Sequence, residues 1–530
     1  MQSRNSLAVF DVAVLGGGMA GMATAARLQA KGLRTIVLEA HGQPGGCAGF
    51  YRRKGFSFDV GATTLVDFEP GGVGGELLEA VGIGLPPNSE ALPGYVAWLP
   101  DRSVVLHRDT AAWMDERLRI LGSTPQHTAL WKLLDNLARA FWRASRRGVK
   151  MPIRSPSSAL AAFDAVGVRD LPLIRYARWT VGDALRSFGL EHDRPLVGLL
   201  SMLIEDTVHG NVDEAPLINA ALGITIRGAG LTRPRGGMRG FWAAFTTRYA
   251  QLGGVMKVGW RVDRIERLAG HFVATTRKGT VAARQVVCAL PAALASQIAP
   301  ALVERDVRAY LRRDRESVGG AIVVFLGVPE AEVADQPFTH HQLLQCYDEP
   351  LGYGNNMFIS VSAADDTDSA PPGHRTVMIS THCDLSSWEG LDHDTYDCRK
   401  RAAGERLLTL ARRVYPALGD RALVYEIATP RTYERFTSRP RGAVGGFKQT
   451  LANANQNAIP HDLGPPGFWL VGDTTWPGLG TVACVLGSRI VADGVLKLAG
   501  KMPRRAAQPQ PSLGRTRRLQ KATPAARGQV

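Results

Sequence analysis

At 530 residues, 45% of them hydrophobic and 21% charged, the chain is long enough for more than one domain and apolar enough for a large folded core. Six cysteines (Cys47, Cys288, Cys346, Cys383, Cys398 and Cys484) lie scattered with no CxxC pair, which argues against a zinc site or a redox dithiol and fits a reducing, cytoplasmic compartment. The net charge of +15 comes with no recognised nucleic-acid module, so nucleic acid is not an expected partner. No run reaches the ~18 to 20 uncharged apolar residues that a membrane-spanning helix needs.

The N-terminal stretch Ser6 to Leu28 is mostly apolar, but Asp11 and a glycine run break a signal-peptide reading. Phe10 to Leu15 is a run of β-formers that suits a buried parallel strand. Gly16-Gly17-Gly18-Met19-Ala20-Gly21 follows and satisfies GxGxxG. Met22 to Ala30 reads as a helix that Gly32 ends, and Leu33 to Leu38 as a second strand closed by Glu39 and Ala40. Strand, glycine turn, helix, strand and acid make a complete dinucleotide-binding unit. Gly16 provides the tight turn, Gly18 lets the backbone approach a pyrophosphate, and Gly21 lets helix and strand pack closely. The helix N-terminus offers free N–H groups to the phosphates. Glu39 can accept both ribose hydroxyls and argues against a 2′-phosphate. A second such fingerprint is not found, so an electron partner other than NAD(P)H, such as oxygen or a quinone, is expected.

His127 to Lys150 is an amphipathic helix candidate. Leu130, Leu133, Leu134, Leu137, Phe141 and Trp142 recur at helical spacing, and Arg139, Arg143, Arg146, Arg147 and Lys150 crowd its C-terminal half. Two readings follow: an ordinary helix packed on its own core, or a basic helix lying on a membrane surface. Gly320 to Val328, Met357 to Val361 and Thr376 to Thr381 read as strands of a second sheet. His340, His341, Glu434 and Arg435 are polar residues in this region that could line a substrate tunnel, with a structural role the more ordinary assignment. Phe468 to Val471 is an apolar strand that runs into Gly472-Asp473, and Pro477 to Gly480 precedes an apolar helix. After Gly500 the tail carries eight basic residues and no acid, without apolar period, and is expected to be a disordered basic tail. No paired-carboxylate, hydrolase or metal constellation is visible.

The blocks PGGCAGFYRRKGFSFDVGATTL (Pro44 to Leu65), RWTVGDALRSFGL (Arg178 to Leu190), PRGGM (Pro234 to Met238), TPRTYERF (Thr429 to Phe436) and LVGDTTWPGLG (Leu470 to Gly480) resemble the carotenoid desaturase and isomerase family, within the amine-oxidase and phytoene-desaturase superfamily. The likeness spans about residues 8 to 497 and is nearest to carotenoid C-3′,4′ desaturases. It implies an α/β fold: a Rossmann-type FAD-binding domain assembled from 8–90, 235–300 and 455–500, with a discontinuous mixed sheet-plus-helix substrate domain from 91–234 and 301–454. The tail is 501–530. It further implies FAD as cofactor, held along Gly16, Gly18, Met19, Ala20 and Gly21, then Glu39 and Ala40, then Gly45, Gly46 and Cys47. Val262 would touch the adenine through its backbone, and Gly472 and Asp473 would bind the pyrophosphate and ribityl side. The helix opening at Thr481 and Val482 would point its N-terminus at the flavin. The implied reaction is desaturation of a long apolar polyene, a hydride passing to flavin N5 and a proton leaving. Cis–trans isomerisation, or reduction or reductive cyclisation of a polyene, is the alternative within the same family. A polyene-using enzyme is expected to work at a membrane surface, so a cytoplasmic location with peripheral membrane contact is the expectation.

Overall fold

The computed structural model describes residues 9–225 and 230–500. Its first strand, Val9–Leu15, shows how the sequence builds the first layer. Val12 and Val14 point into one core and Ala13 and Leu15 into another, because successive side chains leave opposite faces of a strand. Such a strand must be covered on both sides, which is the usual fate of a parallel strand. It pairs in parallel with Thr35–Glu39 and with Gly279–Cys288. Val255–Val258 adds a parallel outer strand beside Thr35–Glu39. Beyond Gly279–Cys288 the chain switches to an antiparallel meander of His271–Thr276 and Val262–Leu268. The short strand Phe468–Leu470 completes this seven-stranded sheet, pairing in parallel with Val286 to Cys288 from more than 180 residues away. Helices Met19–Ala30, Gly237–Gln251 and Thr481–Leu498 cover one face.

The first helix begins at Met19, three residues before the apolar periodicity announces it. Glycines are poor predictors of helix, yet Gly21 sits inside this one. A Cβ there would lie 2.0 Å from the carbonyl oxygen of Gly16, so the close crossing of turn and helix requires glycine.

The second layer is an eight-stranded sheet in the order Val424–Ala428, Val318–Pro329, His374–Cys383, Asn356–Val361, His340–Leu344, Gly94–Trp98, Ser103–His107, with Val444–Phe447 paired to the start of Val318–Pro329. Its pairs are antiparallel except His340–Leu344 with Gly94–Trp98. The period of two again divides the long central strand. Ile322, Val324, Leu326 and Val328 pack with Leu407 and Ala411 of helix His393–Ala411, whereas Ala321, Val323 and Phe325 turn to the opposite face with Phe56, Phe58 and Met378.

A helical group, including Pro125–Arg146, Val181–Phe188, Arg194–Val208 and Leu217–Ile224, surrounds a further core. Here the membrane-surface reading of the amphipathic helix is corrected. Leu130, Leu134 and Leu137 are fully buried within the protein. Exposing any one would forfeit about 2 kcal/mol, more than the ~1 kcal/mol a basic residue gains beside anionic lipid. The basic residues also have internal partners. Arg143 pairs with Asp170, Arg146 with Asp67 at 2.6 Å, and Lys150 with Asp462 at 3.6 Å. The helix ends at Arg146, with Arg147 as its cap, so Lys150 lies beyond it. No helix among the described residues is long and apolar enough to cross a membrane. The basic tail 501–530 lies outside the described residues.

Candidate active site

A cavity of about 640 Å3 runs from the C-terminal end of the parallel strands to the free face of the eight-stranded sheet. Its first half gathers segments that are far apart in the chain. Gly16, Gly18, Met19 and Ala20 come from the first turn, Glu39 and Ala40 from the end of the second strand, and Gly45, Gly46 and Cys47 from the loop that follows. Val262 enters from the meander, and Gly472, Asp473 and Thr481 from the chain's last strand–helix turn. Of the residues singled out in the sequence, Gly21 and Val482 do not line it. Gly21 is held against Gly16, and Val482 is a partly buried packing residue between two cores.

Local geometry explains how these segments meet. Gly45 N–H donates to Gly17 O at 2.9 Å, and Gly18 and Gly45 form an isolated parallel bridge. Gly45 has φ +125°, and a Cβ there would lie 2.5 Å from Gly49 Cα, so only glycine closes this loop. The Glu39 carboxylate is fixed by two backbone donors, Gly17 N–H at 2.5 Å and His41 N–H at 2.7 Å.

The donor set suits a dinucleotide. Helix Met19–Ala30 starts from Gly18 with no side-chain cap and no acid in its first turn. Helix Thr481–Leu498 starts from Gly480 in the same way. Two uncapped helix N-termini therefore face one cavity, each with N–H groups and a positive dipole end available to an anionic or electron-rich group. Gly18 leaves open space on the cavity side, the nearest atom to a Cβ there being Gly45 O at 3.9 Å. Asp473 is held by Arg439 at 2.5 Å, both largely buried.

The second half of the cavity is mainly apolar, with Gln342, Asn356, Ser380 and Thr381 among its lining. Ala321, Val323, Phe325, Met357, Phe358 and Met378 line it from the sheet, and Met202 from helix Arg194–Val208. Tyr433 closes one side, its hydroxyl donating to Val60 O at 2.7 Å. Burial pushes the Tyr433 phenol and the Cys484 thiol far above their ordinary ranges, and raises the Cys47 thiol despite Arg439 nearby. These groups stay neutral.

The polar candidates named from sequence are not in this cavity. His340 is buried, stacked on Tyr95 at 5.1 Å and within 3.0 Å of Ser360 Oγ. His341 accepts from Trp98 Nε1 at 3.2 Å and meets the Tyr415 hydroxyl at 2.9 Å; burial pushes its pKa down to about 4. Both hold the sheet together. Glu434 and Arg435 are exposed on helix Pro430–Thr437, where Thr432, Tyr433 and Phe436 face the cavity instead. Toward the sheet the polar groups that do line it include Asp206, His209, Gln342, Asn356 and His382, with Glu205 behind them. Sequence reasoning passed over these because none of them falls in a motif with catalytic spacing.

A dinucleotide-binding sheet whose cavity opens onto the apolar face of a second sheet defines a flavoprotein oxidoreductase. Residues 182–496 match the flavin containing amine oxidoreductase family and residues 14–80 an NAD(P)-binding Rossmann-like domain; the chain belongs to the flavin-containing amine oxidoreductase family. It is similar to prolycopene isomerase 1 from an Oncidium hybrid cultivar, 26% identical over 521 residues, covering 92% of this chain and 85% of that one. It is also similar to the phytoene dehydrogenase of Streptomyces griseus, 25% identical over 522 residues, covering 92% and 95%. Among solved structures, cyclohexylamine oxidase from Brevibacterium oxydans shares the fold, with a TM-score of 0.58 at 17% identity over 93% of this chain and 100% of that one. The protein is thus an FAD-dependent oxidoreductase, similar over nearly its whole length to carotenoid desaturases and isomerases.

Proposed function

We propose that the enzyme acts on a long apolar polyene, with carotenoid desaturation of the C-3′,4′ type as its reaction. The observation that carries this is the continuity of the cavity: its cofactor half runs directly into an apolar half walled by Val323, Phe325, Met357 and Met378. A conjugated hydrocarbon needs apolar contact and positioning more than charge. The whole-length likeness to prolycopene isomerases and a phytoene dehydrogenase supports the same substrate class.

In this reading Gly16, Gly18, Met19, Ala20 and Gly21 form the pyrophosphate turn, and Glu39 and Ala40 take the adenosine ribose. Val262 meets the adenine. Gly45, Gly46, Cys47, Gly472 and Asp473 run along the rest of the cofactor, and helix Thr481–Leu498, with Thr481 and Val482 in its first turn, faces the flavin ring. The FAD domain is then 8–90, 235–300 and 455–500, and the substrate domain 91–234 and 301–454. FAD supplies a two-electron acceptor for hydride when bound. The sheet's apolar side chains orient the polyene against it and exclude water, and oxygen or a quinone receives the electrons afterwards.

Isomerisation is the second reading, favoured by the several prolycopene isomerases among the relatives. Expression in cells that make lycopene or 1-hydroxy-carotenoids separates the outcomes by pigment mass. A loss of two mass units is expected; an unchanged mass with altered double-bond geometry would replace desaturation by isomerisation, and a gain of two by reduction.

Membrane contact belongs to this reading at a surface other than the amphipathic helix. Leu160 (70% exposed), Phe163 (46%), Val168 (70%) and Ile174 (55%) project from helix Pro156–Val166 and the turn Val168–Tyr176. Exposed Arg169, Arg175 and Arg178 flank them, a pattern that complements anionic lipid. Flotation with phosphatidylglycerol vesicles at low salt is expected to carry the protein upward. The double substitution Leu160→Asp with Val168→Asp should reduce the bound fraction about ten-fold; unchanged flotation would place the contact elsewhere.

A further inference from the structure

We infer that Glu205, His382 and His209 form an acid–base relay that takes up and returns the substrate proton at the boundary between the cofactor and polyene halves of the cavity. The inference rests on the polyene chemistry proposed above.

Three elements build the cluster. Helix Arg194–Val208 supplies Glu205 in its last turn and places His209 just past its end, at φ +57°. Strand His374–Cys383 supplies His382 from the face it shares with Met378 and Ser380. Strand Val444–Phe447 supplies the floor at Gly445. The His209 and His382 rings lie 4.5 Å apart at an interplanar angle of 57°. His382 Nδ1 lies 3.3 Å from Glu205 Oε1, with side-chain exposures of 26% and 17%. A Cβ on Gly445 would fall 2.1 Å from His209 Cε1, so glycine is what leaves room for the imidazole.

The position is informative. Gly445 bears on His209 on one side and forms a backbone hydrogen bond with the Cys47 thiol on the other. Cys47 belongs to the cofactor half, whereas Met202, a near neighbour on the histidine's helix, belongs to the apolar half. A base at this junction can reach a carbon next to the one that gives up hydride.

Most of the alternatives along the cavity are poor bases; Asp206, which also lines it, accepts from Gln342 Nε2 at 3.5 Å. Tyr433, Cys47 and Cys484 are held protonated by burial. Asp473 is engaged by Arg439, and Glu426 pairs with Arg53 at 3.1 Å. His41 stands beside Glu39, at the nucleotide end. Burial, and then His382, press the His209 pKa well below its ordinary value, so it is a neutral acceptor at pH 7. Burial raises the Glu205 carboxyl while His382 opposes that. The other charged groups near the cluster are Asp206, Asp384 and Lys448, which lies 2.7 Å from Glu214.

The chemistry balances. In desaturation one hydrogen would leave its carbon with the bonding electron pair as hydride, for which bound FAD would supply the two-electron acceptor. The neighbouring carbon gives its hydrogen to His209 as a proton, and that C–H electron pair becomes the new π bond. His382, held by Glu205, shares the proton and passes it outward. In isomerisation the same relay lends a proton to a polyene carbon, which loosens the neighbouring double bonds, and then removes it, with no net electron transfer.

The test uses flavin-loaded wild type and the variants His209→Asn, His382→Asn and Glu205→Gln, each first shown to hold FAD by its visible spectrum. With the polyene that wild type converts, His209→Asn is expected to lower kcat 10²- to 10⁴-fold with KM within about three-fold. In D2O under anaerobic conditions wild type is expected to exchange solvent deuterium into the reacting carbons, and His209→Asn to lose that exchange. Glu205→Gln should fall about ten-fold. A kcat within about three-fold of wild type for His209→Asn, or retained exchange, would overturn the relay. If wild type converts no polyene, the functional reading fails by itself, and the cluster is judged without substrate by histidine NMR of the loaded enzyme. There His382→Asn should move the His209 titration upward, by removing a neighbour that opposes protonation of His209; an unmoved titration refutes the coupling.

Discussion

The substitution Gly18→Ala is expected to weaken FAD binding at least ~100-fold, about 2.7 kcal/mol, while leaving the apoprotein as stable as before or slightly more so. The two halves of that expectation have separate causes. Gly18 has φ −74° and ψ 179°, extended backbone that alanine adopts without strain. An alanine Cβ would find no protein atom nearer than 3.9 Å. Nothing in the protein therefore demands glycine here, and losing glycine's extra freedom in the unfolded chain is worth about 0.4–1 kcal/mol in stability. What demands glycine is the approach of a pyrophosphate to the first turn of helix Met19–Ala30. Gly21→Ala is the contrasting case. Its Cβ would strike Gly16 O at 2.0 Å, so the turn itself must shift and the apoprotein should lose about 1–3 kcal/mol. Thermal unfolding of both apoproteins, with flavin titration of each, checks the pair. Unaltered FAD affinity in Gly18→Ala would mean that the cofactor does not cross this turn.

Asp59→Ala should be the most destabilising single change in the second prediction, about 3–5 kcal/mol, because it strands a buried charge. Arg233 and Asp59 are 4% and 3% exposed, with Nη1 3.0 Å from Oδ2. The other carboxylate oxygen accepts Met238 N–H at 2.7 Å. Gly237, at φ +59°, passes so near that a Cβ would lie 2.4 Å from Oδ1. One carboxylate thus ties hairpin Phe50–Asp59 to strand Leu231–Arg233 and to the start of helix Gly237–Gln251. With an unfolding entropy of about 2.1 cal/mol/K per residue, a chain of this length should lose about three to five degrees in its unfolding midpoint. Asp59→Asn, which keeps an acceptor for Met238, should lose less. A midpoint within about one degree of wild type for Asp59→Ala would show that the pair contributes little net stability.

Asp59 also shows where sequence reasoning stops. FDVG and PRGGM, some 175 residues apart, are each visible as motifs, but their meeting at one carboxylate is not. The nucleotide turn was readable because it is local: strand, glycines, helix and Glu39 fall within one short stretch and each has a steric or electrostatic reason. The strands at 320–328, 357–361 and 376–381 were readable from their apolar runs, and the observed strands extend them by one or two residues at most ends. The amphipathic helix was readable as a helix, yet which surface its leucines meet depends on packing partners at 181–224.

The amino-acid sequence alone therefore determined the dinucleotide turn, its acid and the likeness to a flavoprotein family, since backbone sterics and short-range spacing suffice for those. Only the tertiary structure decided which polar groups reach the cavity. His340 and His341 looked available and are consumed by Tyr95, Ser360, Trp98 and Tyr415. Glu205, His209 and His382 carried no signature and come together only when a helix end, a strand and Gly445 converge. Side-chain chemistry is written in the sequence, but desolvation and neighbours, which set what that chemistry can do, are properties of the packed molecule.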